Sequence, residues 1–122
     1  MILFVYGTLQ RGCTAHEMLA LRDASFLGKA LLDGFALYNL GPYPGIIPDT
    51  KESVLGEAYR IDQFTLDALD QYEGEGTLYN RYLTDIRLQN GDMMKAFAYV
   101  YNYPVQSGNK IPMERQPWRK GA

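Results

Sequence analysis

Cysteine and histidine are almost missing from this 122-residue chain, at one copy each, Cys13 and His16. A single cysteine closes no internal disulfide, so the fold rests on its core, and that usage fits a reducing compartment. One cysteine and one histidine are too few for a metal site of those ligands, so no metal is expected. Their short spacing raises a nucleophile–base pair, but a lone Cys and a lone His so placed are usually coincidence.

An excess of positive charge is also lacking. Lys and Arg number 12 against 14 Asp and Glu, for a net charge of −2 and a pI near 5.3. No basic stripe is visible, which argues against nucleic acid as a partner. No apolar run approaches the ~20 residues that span a bilayer, so no membrane contact is expected. The apolar start, Met1 to Val5, carries no basic residue and is too short for a signal peptide, so a cytoplasmic protein is expected. The GxGxxG and GxxxxGK[ST] phosphate fingerprints are absent as well.

What is present is a hydrophobic fraction of 47% and ten tyrosines. That is enough apolar side chain for one core without staples. Tyrosine favours strands, and many amphipathic rings also suit a polar-lined cavity or an interface. Ile2 to Tyr6 is almost wholly apolar, as in a strand buried on both faces. Thr14 can cap a short helix through about Leu21. Strands are predicted at 26–32 and 35–39, split by a tight turn at Asp33-Gly34. Gly41-Pro42-Tyr43-Pro44-Gly45 reads as a loop, and 54–61 as the next strand. Asp62 caps a helix through about Tyr72, which Gly74 ends. Residues 79–88 and 93–101 form a hairpin about Asn90-Gly91. The expected domain covers 1–103. The polar tail 104–122 packs on it through Ile111, Met113 and Trp118. The fold class is α+β: a mixed, mostly antiparallel sheet able to curl into a small β-barrel, with one or two short helices.

Two places suggest chemistry. On a helical wheel Ile61, Phe64, Ala68, Leu69 and Tyr72 form the apolar stripe of the 62–73 helix, and Asp67, Asp70 and Gln71 lie opposite. Glu73 falls at the border of the stripe, between Leu66 and Leu69 in angle. Partial desolvation there raises a carboxyl pKa, and the negative end of the helix dipole adds to it. That suits a general acid/base. The ordinary alternative is a surface glutamate before a C-cap glycine. The second place is Tyr6-Gly7-Thr8-Leu9, where a buried strand runs into glycine and a hydroxyl. Such a turn can aim backbone N–H groups at a carboxylate or oxyanion, or can be a plain β-turn. Tyr38, Tyr43, Tyr79 and Tyr82 are candidate pocket tyrosines, and Arg81 shares a strand face with Tyr79. Lys51-Glu52 and the basic end Arg115, Arg119 and Lys120 read as solvated surface.

In order, five segments resemble the γ-glutamylcyclotransferase-like family, notably its short bacterial members and the γ-glutamylamine cyclotransferases. They are Phe4-Val5-Tyr6-Gly7-Thr8-Leu9, Tyr43-Pro44-Gly45-Ile46 and Val54-Leu55-Gly56-Glu57-Ala58-Tyr59, then Leu66 to Gly74 leading into Tyr79-Asn80-Arg81, and Ala98-Tyr99-Val100-Tyr101. The resemblance implies a small barrel with a cavity at one mouth. It implies that Tyr6, Gly7, Thr8 and Leu9 bind a γ-glutamyl group, that Tyr43 and Tyr79 contact the substrate, and that Glu73 is the acid/base. The implied reaction turns a γ-glutamyl amine or amino acid into 5-oxoproline and a free amine, with no cofactor. A non-catalytic binding module for a small metabolite is the alternative, and an interaction protein with a tyrosine-rich surface a further one.

Overall fold

The fold was analysed in a computed structural model that describes residues 1–20 and 22–120. The chain runs β1 (Ile2–Val5), α1 (Glu17–Ala20), β2 (Ser25–Asn39), β3 (Pro44–Arg60), α2 (Gln63–Glu73), β4 (Tyr79–Leu88), β5 (Met93–Tyr101) and β6 (Lys110–Ile111). The sheet order is β3-β1-β5-β4-β2-β6, and β2 also pairs with β3, so five strands close into a barrel and β6 extends β2 outside the ring. β1 is parallel to β5 and antiparallel to β3, while the remaining pairings are antiparallel. This is the small mixed barrel with two helices that the sequence predicts.

The apolar run of β1 follows from its place between two cores. Phe4 packs with Leu32, Val54, Ile86, Ala98 and Trp118 on the barrel interior. Leu3 and Val5 face the other way, against Leu66 and Leu69 of α2 and Leu19 of α1. A strand covered on both faces has no polar side to show in its sequence.

Several local expectations are corrected. Asp33-Gly34 is no hairpin turn. β2 runs through it, and at Gly34, φ +88°, the register shifts, with residues 49–52 of β3 bulging opposite that one position. A lone Asp-Gly between apolar runs reads alike as turn or bulge, and pairing with the long β3 decides for the bulge. Pro44 and Gly45 belong to β3, which starts ten residues before the predicted Val54. Hence only residues 41–43 form the bend, with Leu40 N–H donating to Tyr43 O. The first helix is a single turn from Glu17, and its expected end at Leu21 lies outside the described residues. On α2, Phe64 and Tyr72 are 74% and 49% exposed, and the buried stripe is Thr65, Leu66 and Leu69. The stripe is rotated because the helix packs over β1 through its leucines.

Residues 104–120 fold back over the barrel. Gln116 is the tie, accepting from Leu55 N–H at 2.7 Å and donating to Ser53 O and Ile111 O. Trp118 is 3% exposed within the interior core, whereas Met113, an expected anchor, is 40% exposed.

The tightest point of the barrel is Gly56. A Cβ there would lie 2.2 Å from the Val5 carbonyl oxygen and 2.8 Å from the Phe4 ring. Backbone oxygen in a closed sheet has nowhere to move. Gly56→Ala is therefore expected to lower stability by ~2 kcal/mol or more. Urea unfolding measures this, and an unchanged midpoint would show that β1 and β3 separate more easily than the packing implies.

Candidate functional site

The cavity forms where β1 leaves the barrel and α2 ends above it. Gly74 stops α2 in the left-handed conformation, at φ 65°, with its N–H on Asp70 O and Gln71 O. At the other end the Asp62 carboxylate caps the Thr65 N–H at 2.7 Å. Between these stops Glu73 is the last helical residue, and it faces inward. Tyr6, Gly7, Thr8 and Leu9 follow β1 and line the same cavity, with Tyr43, Tyr79 and Tyr99 completing its wall.

Every site residue expected around Glu73 and the turn thus lines one cavity, although Glu73 and Gly7 are 66 positions apart in sequence. Tyr38 is buried away from it, and Tyr82 is exposed on the outer sheet. Cys13 and His16 have separate partners. His16 Nδ1 is 3.0 Å from Leu9 O, and Cys13 packs against the barrel core. Among the described residues no group of three or more His, Cys, Asp or Glu side chains is placed to hold a metal ion.

Tyr6 and Tyr79 are held from behind by hydrogen bonds to backbone carbonyls. Tyr79 OH donates to Pro44 O at 2.7 Å, and Tyr6 OH donates to Tyr99 O. Pro44 closes in on the turn, since a Cβ on Gly7 would meet its ring at 2.9 Å. Burial pushes the Tyr6 hydroxyl pKa well above its ordinary value, with Tyr79 and Glu73 adding to the rise. Burial raises Tyr79 and Tyr99 too, so all three remain hydrogen-bond donors at neutral pH.

The turn itself is hydrogen-bonded through its carbonyls. Gly7 O accepts from Gln10 N–H, and Thr8 O accepts from Ala15 N–H. Among the described residues the N–H groups of Gly7, Thr8 and Leu9 donate to nothing. These three residues line the cavity, so their N–H groups are free to take an acceptor from outside the protein. At the mouth the Thr8 and Tyr72 hydroxyls lie 3.3 Å apart.

Glu73 carries the opposite character. Burial pushes its pKa from 4.5 up to about 7, and among the described residues its carboxylate has no hydrogen-bond partner. The cause of the rise is desolvation by burial.

Two supports were not foreseen. Asp70, expected on the solvent side of α2, accepts from Tyr99 OH at 2.7 Å and pairs with Arg81. Glu57, 5% exposed, accepts from Arg11 N–H at 2.9 Å and from Tyr59 OH at 3.0 Å, fixing the chain beyond the turn. A carboxylate inside an otherwise apolar strand such as Leu55-Gly56-Glu57-Ala58-Tyr59 is the signal that points to such a buried tie.

This geometry coincides with known proteins. The sequence matches the family model of the γ-glutamyl cyclotransferase, AIG2-like proteins over residues 3–120. The chain belongs to that family. It is 41% identical over 106 residues to the γ-glutamylcyclotransferase family protein YtfP of Escherichia coli K12, covering 86% of each chain. It is 30% identical to the γ-glutamylaminecyclotransferase of Rattus norvegicus, over 80% of this chain and 75% of that one. The crystal structure of an AIG2-like protein from Mus musculus superposes with a TM-score of 0.76 at 27% identity, covering 88% of this chain and 80% of that one. The chain is accordingly a γ-glutamylcyclotransferase-like enzyme.

The raised Glu73 pKa has a stability consequence. Below pH ~4.5 the carboxyl is protonated in both folded and unfolded chains. Between 4.5 and about 7 only the unfolded chain ionises, so folding stability falls across that window. Glu73→Gln removes the titration. The variant should gain roughly 2–3 kcal/mol over the parent at pH 8 and nothing below pH ~4.5. Thermal unfolding across pH reads this directly, and a difference independent of pH would mean that Glu73 is not desolvated.

Proposed function

We propose that the chain cyclises γ-glutamyl amines or γ-glutamyl amino acids to 5-oxoproline, releasing the free amine. The observation that carries this reading is the pairing, across one cavity, of three unpartnered N–H groups with a single desolvated carboxylate. A γ-glutamyl substrate matches both. Its carboxylate and its reacting carbonyl oxygen are acceptors for the turn, and its α-ammonium is the proton source for Glu73.

In the reaction the α-nitrogen attacks the γ-carbonyl carbon. One C–N bond forms, closing a five-membered ring, and the γ-amide C–N bond breaks. The α-nitrogen sheds two protons, and both end on the leaving nitrogen, so the step balances without water. Glu73 moves them, as base toward the α-nitrogen and then as acid toward the leaving group. A pKa near 7 serves both directions. The N–H groups of Gly7, Thr8 and Leu9 stabilise the tetrahedral oxyanion. Nucleophile and electrophile belong to one molecule, so holding it in the folded conformer supplies most of the remaining rate. The leaving amine lies toward the mouth, where Tyr43, Tyr72 and Tyr79 line a wider opening. The substrate is a soluble metabolite, in keeping with a cytoplasmic setting.

Release of 5-oxoproline from a panel of γ-glutamyl amines and dipeptides tests the assignment. Free substrates should react, whereas N-acetylated substrates and α-glutamyl isomers should not. Turnover of the acetylated compounds would mean attack by water and would end the cyclotransferase reading. Glu73→Gln should lower kcat by ~10²-fold or more with the fold intact. In the parent enzyme kcat/KM should decline as pH falls below about 7, as the base is lost. A profile flat through that range would place the proton transfer on another group.

A further inference from the structure

A second recess lies away from the cyclotransferase cavity, between the end of β2, β6 and the returning C-terminal segment. It is walled by Asn39, Asn109, Ile111, Arg115, Trp118 and Arg119. The sequence gives Arg115 and Arg119 as solvated surface, and both are exposed. The fold brings them to one concavity by turning the chain at Met113–Arg115 and burying Trp118.

The lining is of one sign. No aspartate or glutamate contributes to it. Lys110 also lines it, but Asp49 and Glu52 already neutralise that ammonium at 3.4 and 2.8 Å, and neither acid lines the recess. Among the described residues neither Arg115 nor Arg119 has an acidic partner. Arg119 is oriented nonetheless, because one guanidinium nitrogen donates to Trp118 O at 2.9 Å. Among the described residues the amide nitrogens of Asn39 and Asn109 donate to nothing. Two guanidinium groups and two amides thus line one recess with the buried Trp118.

We propose that this recess binds a small dianion bearing carboxylate or phosphate groups. The two arginines meet its charges with forked N–H donors, and the asparagine amides take the remaining oxygens. Trp118 excludes water from one side, which strengthens those contacts relative to an open surface.

Trp118 is the only tryptophan of the chain, so its fluorescence reports the site without a label. Inorganic phosphate and malonate are titrated separately into the full chain, with sodium chloride holding ionic strength constant. Calorimetry on the same samples captures binding that leaves the emission unchanged. Saturable binding of either anion is expected, and the anion that binds identifies the ligand class. Arg115→Gln should raise its Kd at least tenfold without moving Tm, because among the described residues that side chain makes no hydrogen bond to the fold. Arg115→Lys should recover part of the affinity. Absence of saturation for both anions in both measurements overturns the proposal. So does saturable binding that Arg115→Gln leaves unaltered.

Discussion

The Asp70 carboxylate holds the active end of α2 to the barrel. It takes Tyr99 OH from β5 and the Arg81 guanidinium from β4, while its own backbone carbonyl accepts from Gly74 and Glu75. Arg81 is fixed in turn, with its ring-stacking face over Phe97 and its N–H on Glu75. Glu73 follows Asp70 by three residues, so its side chain projects from the same end of the helix a turn later. If that tie were absent, the last turn of α2 could fray, and water reaching Glu73 would return its pKa toward 4.5. The acid/base character of one carboxylate therefore depends on the hydrogen bonds of another.

The opposite wall is fixed by close approach rather than by charge. Gly56 lets β3 pass directly beneath the Val5 carbonyl, and Gly45 lets it pass Tyr101. The turn after β1 then emerges against Pro44, with Glu57 holding Arg11 beyond it. Gln10 adds a third restraint, for its amide nitrogen reaches both Gly7 O and Trp118 O. Among the described residues its amide oxygen is buried without a partner, which is rare enough in folded proteins to mark a place where position outweighs a hydrogen bond. Through Gln10 the C-terminal segment is physically continuous with the turn that lines the cavity.

Legibility in the sequence follows how locally each feature is determined. Residues 63–73 carry their own start and stop, Asp62 and Gly74, and Asn90-Gly91 carries its own turn, so both are readable in isolation. Glu73 was visible as a border residue because its neighbours Leu66 and Leu69 set the buried face. Asp70 was not, since a wheel assigns a carboxylate to solvent unless the partner strands are known. Asp33-Gly34 failed for the same reason: only the pairing with β3 turns a hairpin signal into a bulge. Arg115 and Arg119 look like any basic terminus until Trp118 draws the chain back over the barrel.

The charge pattern of the cavity completes the physical picture. Its lining includes one carboxylate and no lysine, arginine or histidine. A fixed cation beside Glu73 would favour its ionised form and pull its pKa down, undoing what burial achieves. Any anionic part of a ligand must then be met by neutral donors. Backbone N–H groups do this without entering the titration, and a turn beginning with glycine can present several in a row. The hydroxyls of Tyr6, Tyr79 and Tyr99, kept protonated by the same burial, spend their protons on Tyr99 O, Pro44 O and Asp70, and so brace the walls without adding charge. A cavity of this kind holds an acceptor-rich molecule while leaving its only ionisable lining carboxylate tuned by desolvation alone, which explains why the turn and the helix end must close on each other and why a Cβ at Gly7 would collide with the Pro44 ring.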